Sequence, residues 1–270
     1  GSHQRIVAHL SKNGVDILPV DRFFFKLFGD PKQGVWQTPS PTLSTFDVIG
    51  SLSTYQSSTM MMMLIPGETT PIFFEQLEKK FALSSELLAY EYALHTPPLE
   101  EGFLVPQSYA LPSVISEKAV IETLLGYAQK FHAPLRKKFG DHVWKQILIK
   151  ASIVQKEAAS KEEMPLVASV INNRLRIGMP LQMDGTLNYG LYSHIRVTPQ
   201  RIKDDTTTYN TYKHKGLPQI PVCGVSKEAI LAVIYPAKTP YLYFMKQKNG
   251  SHAFSNSYKV HLQNINNVKK

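Results

Sequence analysis

The stretch Ala151-Ser152-Ile153-Val154-Gln155-Lys156-Glu157-Ala158-Ala159-Ser160-Lys161-Glu162-Glu163 decides the reading of this chain, because one helix ends in it and another begins. Upstream, Ile147, Ala151, Val154 and Ala158 follow the 4-3-4 spacing of a buried stripe and predict a helix from about Asp141 to Ala159. Downstream, Ser160 and Glu163 have the S-x-x-E spacing of a capping box, with Glu162 and Glu163 placed to favour the dipole of the first turn. Met164, Ala168, Ile171 and Leu175 line the second helix, and Gly178 is placed to end it. Glu157 sits roughly 100° around the wheel from the centre of the buried stripe, at 100° per residue. A carboxyl at that edge is partly desolvated, which raises its pKa and suits a general acid. Spacing alone favours the more ordinary reading, a surface or ion-paired glutamate.

Outward from this pair of helices, Val120, Leu124, Ala128, Phe131 and Leu135 predict a further helix from Ser116, which Pro134 kinks or interrupts. Before it, Met60–Ile65 reads as a buried strand closed by Pro66-Gly67. Thr70 is a candidate N-cap with Pro71 at the first helical position, leading a helix to about Phe81. Ser84 or Ser85 caps a second helix, Glu86–Leu94, and after Pro97-Pro98 the segment Gly102–Val105 returns as a strand. Residues 60–112 therefore form a β-α-α-β unit. Residues 4–59, with Phe23-Phe24-Phe25 and the turn-rich Pro39-Ser40-Pro41, read as a small lobe of short strands with one helix near Thr45–Ser53. Residues 113–270 mix helix and strand, closing with a Ser226-capped helix (Lys227–Tyr235) and a strand at Tyr241–Met245. The fold class is α+β.

Composition excludes more than it assigns. A hydrophobic fraction of 43% with 19% charged residues is that of a folded globular chain. The net charge of +9 is scattered, its densest runs being Arg136-Lys137-Lys138 and Lys269-Lys270, so no basic arm or recognition helix points to nucleic acid. The single cysteine, Cys223, cannot form an intramolecular disulfide. No apolar run reaches the roughly 18 residues a membrane span needs. Gly1-Ser2-His3 reads as a tag remnant. Nine histidines include no H-E-x-x-H spacing, phosphate-cradling glycine patterns are missing, and Ser152 and Cys223 lack a nucleophile signature; no metal or cofactor is expected.

Past Gly178 the chain is rich in amides and aromatic rings, the loop chemistry that suits sugar hydroxyls and sugar faces. Asn173, Arg174, Gln182, Asp184, Tyr189, Tyr209, Asn210, Tyr212 and His252 are the candidate substrate-binding residues, each of which taken singly reads more readily as structural.

The segments Ala151–Glu157 and Val167–Leu175 resemble those of the endolytic murein transglycosylases, the YceG-like family. The resemblance continues through Gly178–Thr186, Tyr209–Tyr212, Gly216-Leu217-Pro218, Pro236–Phe244 and His252-Ala253-Phe254. It extends more loosely to Ile65–Thr69 and Glu101–Leu104, where the 60–112 unit resembles the family's LysM-like subdomain. Family members usually carry two acids in the helix motif; Gln155 stands at the first, which leaves Glu157 as the match to the catalytic glutamate. Gln107 stands where the family tends to have Asp, and Gly185 where it often has Pro.

The resemblance implies a lytic transglycosylase that cuts between N-acetylmuramic acid and N-acetylglucosamine inside peptidoglycan strands. Glu157 would protonate the leaving oxygen, then take the proton of the muramic acid C6 hydroxyl as a 1,6-anhydro ring closes. It further implies an N-terminal membrane anchor, a position outside the cytoplasmic membrane, and peptidoglycan synthases as partners. Two alternatives stand beside it: a hydrolase using Glu157 and Asp184 as the two carboxylates such chemistry requires, and a non-catalytic glycan-binding scaffold working through the LysM-like unit.

Overall fold

The computed structural model describes residues 3–12, 14–29, 44–54, 58–95 and 101–269. Pro39–Pro41 and Pro97-Pro98 lie outside them. The chain divides into two compact units, 1–61 with 110–115, and 62–109 with 116–270.

In the first unit, α1 (His3–Lys12), a 3-10 turn (Pro19–Phe23), α2 (Phe24–Phe28) and α3 (Thr45–Thr54) pack Val7, Ile17, Phe25 and Ile49 into a small core. The expected short strands are thus helices. A run such as Phe23-Phe24-Phe25 has no period that separates strand from helix. Pro19 opens the turn and the Asp21 carboxylate accepts the Leu18 N–H, so local capping settles the choice.

β1 (Thr59–Met63) opens the second region of the chain, followed by α4 (Thr70–Phe81) and α5 (Ser85–Leu94). Met62 and Leu64 are buried, whereas Met61, Met63 and Ile65 face solvent, so the apolar run expected to be buried is only half so. Thr69, not Thr70, is the N-cap of α4, and the Ser84 hydroxyl accepts the Leu87 N–H to cap α5. Gly102–Val105 does not form the expected strand. Gly102 has φ +74°, and a Cβ there would meet Pro221 Cβ at 2.6 Å, so the backbone is held left-handed against a neighbouring loop. The returning strand is instead β2 (Ser108–Pro112), paired with β1.

α6 (Glu117–Phe139) runs without interruption through Pro134, since Val120, Ile121, Leu124, Ala128 and His132 bury its face along most of its length. Gly140, at φ +81°, turns the chain into α7 (Asp141–Glu157). α8 (Met164–Arg176) follows and ends where Gly178, at φ +69°, lets the Met179 N–H reach the Arg174 carbonyl. The expected capping box at Ser160 and Glu163 does not form. The Glu163 carboxylate accepts both the backbone N–H and the Nδ1–H of His252, each at 2.7 Å, and keeps a longer local bond from the Ala159 N–H at 3.3 Å.

The remaining elements are α9 (Pro199–Asp204), α10 (Lys227–Ile234), the antiparallel hairpin β3 (Tyr243–Lys246) and β4 (His252–Ser255), and α11 (Tyr258–Lys269). α7 lies between α6, α8 and α10, with Trp144, Leu148, Ala151, Ile153 and Val154 in the main core. No helix among the described residues is long and apolar enough to cross a membrane. The architecture is α+β.

Candidate active site

Glu157 is the last residue of α7, and Ala158 (φ −71°, ψ 132°) leads the chain away in extended form. Between Trp144 and Val154 the helix buries one side in the main core, and its last turn carries the carboxyl at the edge of that core. The structure leaves it partly buried. Burial pushes its pKa up to about 7; the Gly185 N–H bond opposes this, Asp184 adds to it, and Arg174 opposes it. The C-terminal end of the helix dipole also disfavours a negative charge at this position.

Gly185 lies in the 3-10 turn Asp184–Leu187, and its N–H donates to Glu157 Oε1 at 2.6 Å. A Cβ at this position would stand 2.6 Å from Lys156 Cβ and 2.7 Å from Glu157 Oε1, so only glycine allows the turn to approach this closely. A backbone donor leaves no mark in the sequence beyond the Asp184-Gly185 turn dipeptide. Gln155, two residues before Glu157, points to a different task, its Oε1 accepting the Ser226 N–H at the start of α10.

Three of the other expected residues, Asp184, Arg174 and Tyr212, gather round Glu157, and a fourth, Gln182, shapes the loop beside them. Asp184 accepts the Tyr212 hydroxyl at 2.7 Å, and both lie within electrostatic reach of Glu157. Burial and the neighbouring carboxylates push the Tyr212 phenol well up, so it stays protonated and donating. Arg174 is buried, its guanidinium donating to the Leu181 and Leu242 carbonyls and lying over the Tyr243 ring. Gln182 takes a left-handed backbone (φ 48°) and donates its N–H to the Thr211 carbonyl, which sets the 181–183 segment of the loop beside 210–212.

The others are occupied elsewhere. Asn173 donates to the Thr239 and Tyr241 carbonyls. Asn210 is fully buried, donating to the Ile202 and Asp205 carbonyls, so its amide holds a loop and does not face solvent. His252 is tied to Glu163. Tyr189 and Tyr209 stack at 4.3 Å, and with Thr70, Phe74, Glu101 and Leu191 they line a cavity of about 650 Å³. Ser152 is buried and accepts the Val222 N–H, and burial pushes the Cys223 thiol up to about 12; neither is a nucleophile.

A carboxyl whose pKa burial raises to about 7, met by a backbone donor at the end of a helix, has the properties that acid–base chemistry requires. The chain belongs to the YceG-like family, whose profile matches residues 2–267. It is 32% identical over 198 residues to an endolytic murein transglycosylase of Bacillus subtilis (strain 168), covering 70% of this chain and 53% of that protein. An endolytic murein transglycosylase of Streptococcus pneumoniae serotype 2 (strain D39 / NCTC 7466) is 27% identical over 213 residues, covering 73% of this chain and 39% of that protein. The chain thus spans about half or less of the length of these relatives. A crystal structure of a YceG-like protein of Listeria monocytogenes shares the fold, with a TM-score of 0.65 and 23% identity over 97% of this chain and 95% of that one.

Proposed function

We propose that this protein is an endolytic lytic transglycosylase of peptidoglycan, with Glu157 as its one catalytic acid and base. The observation that carries the reading is the Glu157 carboxyl itself, partly buried at the end of α7 with a pKa raised to about 7 by burial. Protonated, it donates to the oxygen between N-acetylmuramic acid and N-acetylglucosamine as that bond breaks. As carboxylate it takes the proton of the muramic acid C6 hydroxyl, whose oxygen closes on C1, and the proton count returns to its start. The Gly185 N–H meets the charged form, and the Asp184–Tyr212 pair borders it.

Asp184 supports a second reading, a hydrolase in which it activates water or attacks C1. The Tyr212 hydroxyl bond engages that carboxylate and weighs against it. Digestion of purified glycan strands read by mass spectrometry decides between them: 1,6-anhydro ends, one water lighter than reducing ends, are expected, and reducing ends alone would overturn the lytic assignment. Glu157→Gln is expected to lower turnover by at least about a hundredfold, the scale of a lost general acid–base group. Full activity in that variant would leave a glycan-binding scaffold as the better reading.

Residues 60–112 are read as a LysM-like glycan-holding subdomain, 4–59 as an N-terminal lobe and 113–270 as the catalytic domain. Family resemblance supports an N-terminal anchor in the cytoplasmic membrane, the domain on its outer face, and peptidoglycan synthases as neighbours. Fractionation of cells producing the whole protein, with cross-linking to the synthases, tests these points.

A further inference from the structure

Glu68 is a carboxylate with 2% of its surface exposed, and neither Lys nor Arg is ion-paired with it among the described residues. Burying such a group is costly unless it is fully hydrogen-bonded. Its partners come from two places. On its own side, Oε1 accepts the Thr69 N–H at 3.0 Å and Oε2 the Gln76 amide at 3.3 Å. From 125 residues further along, the Ser193 hydroxyl donates to Oε1 at 3.0 Å, and His194 Nε2–H donates to Oε2 at 3.0 Å.

The segment so captured is the continuation of the turn that serves Glu157. It runs from Gly185, the donor to Glu157, through the short 3-10 turn Gly190–Tyr192 to Ser193, with little regular structure of its own. A second pin lies one residue from Glu68, where the Thr69 hydroxyl donates to the Gly190 carbonyl at 2.7 Å. The loop is also tied back to α7, since Lys156 Nζ donates to Ser193 Oγ at 3.0 Å. Lys156 precedes Glu157. Backbone bonds in both directions, Gly67 N–H to the Gly224 carbonyl and Gly224 N–H to the Glu68 carbonyl, fix the Glu68 backbone itself.

We infer that Glu68 is a positioning residue for Glu157: its carboxylate holds loop 185–194, and through that loop the Gly185 N–H, in register with the end of α7. The segment around Glu68 then has a role in the reaction besides any in holding glycan. The role in turnover rests on the proposed acid–base function of Glu157, while the role in holding the Gly185 amide does not.

The test compares Glu68→Ala, Glu68→Gln, Ser193→Ala and His194→Ala with the wild type. Amide exchange at Gly185 and 188–194 is expected to quicken at least about tenfold in Glu68→Ala. Turnover should fall roughly ten- to a hundredfold with little change in KM, the scale of a misplaced acid. The alkaline limb of the rate profile should move to higher pH, because the N–H that favours the charged form of Glu157 is lost. Glu68→Gln keeps an oxygen for Thr69 and Ser193 and should restore exchange, turnover and limb together. Ser193→Ala removes the hydroxyl link to Glu68 and, with it, the acceptor of the Lys156 bond, whereas His194→Ala removes a Glu68 partner alone; both should shift the same readouts in the same direction, and His194→Ala decides the matter if Glu68→Ala does not fold. A Glu68→Ala protein that melts earlier but keeps wild-type exchange at Gly185 and a wild-type alkaline limb would overturn the inference. Glu157→Gln, run alongside, separates the failures: if it is fully active the proposed function falls, and amide exchange still judges Glu68.

Discussion

The Glu157 carboxyl and the Gly185 amide make one unit, and its energetics can be followed through the charge on the acid. Burial favours the neutral form; the 2.6 Å N–H bond favours the anion, and the balance sets a pKa of about 7. If Glu157 must begin protonated, kcat/KM falls as pH rises through about 7, and a profile still flat to pH 9 would contradict that role. Gly185→Ala is the sharper probe. Its Cβ would stand 2.6 Å from Lys156 Cβ, a contact on a stem that cannot swing aside, so the turn must retreat from the carboxylate. We expect turnover to drop about ten- to a hundredfold. Steady-state kinetics beside a thermal melt check it, and a variant that loses stability while keeping wild-type turnover would refute it.

At the scale of elements, α6 and α7 are joined through a buried histidine. Trp144 Nε1–H donates to His132 Nδ1 at 3.0 Å, and His132 Nε2 lies 2.8 Å from the Phe103 carbonyl, so the ring is neutral with its proton on Nε2. Trp144→Phe leaves a buried acceptor unmet and a cavity behind, and should cost about 2–4 kcal/mol in urea unfolding. A loss under about 1 kcal/mol would mean the bond does not hold the pair. None of this was legible from periodicity, which marks His132 merely as a neighbour of Phe131. What the sequence does expose is local: the α7 stripe, the Ser84 and Ser226 caps, the Gly178 stop and Glu157 at a helical edge all depend on residues within a few positions. Misreadings arise where a distant partner intervenes. Glu163 leaves its expected capping role for His252, 89 residues away, and Gly102 turns left-handed against Pro221. The Gly185 bond spans 28 residues and the Glu68–Ser193 bond 125, and neither has a local pattern to announce it.

For the whole molecule, buried titrating groups pull stability in opposite directions across the same pH range. Burial lowers the His132 pKa from 6.5 to about 4, so its contribution is present above 6.5 and is lost as pH falls through 4. Burial raises Glu101 from 4.5 to about 7 despite N–H bonds from Thr70 and Gly102, and Glu157 likewise. Their contribution is present below 4.5 and is lost as pH rises through 7. Each shift corresponds to about 3 kcal/mol at 1.36 kcal/mol per unit. Between 4.5 and 6.5 His132, joined to a lesser extent by His261, whose pKa burial and Arg174 also lower, opposes two carboxyls, and the sum makes the fold lose stability as pH rises from 5 towards 7. Glu101→Gln removes one of the two carboxyls. Urea unfolding at half-unit pH steps should then show a fall smaller by about one proton's worth of slope, roughly 1.4 kcal/mol per pH unit, bringing the carboxyl and histidine contributions near to cancelling. An unchanged slope would show that the Glu101 carboxyl is already ionised at pH 5, stabilised as the anion by the Thr70 and Gly102 donors.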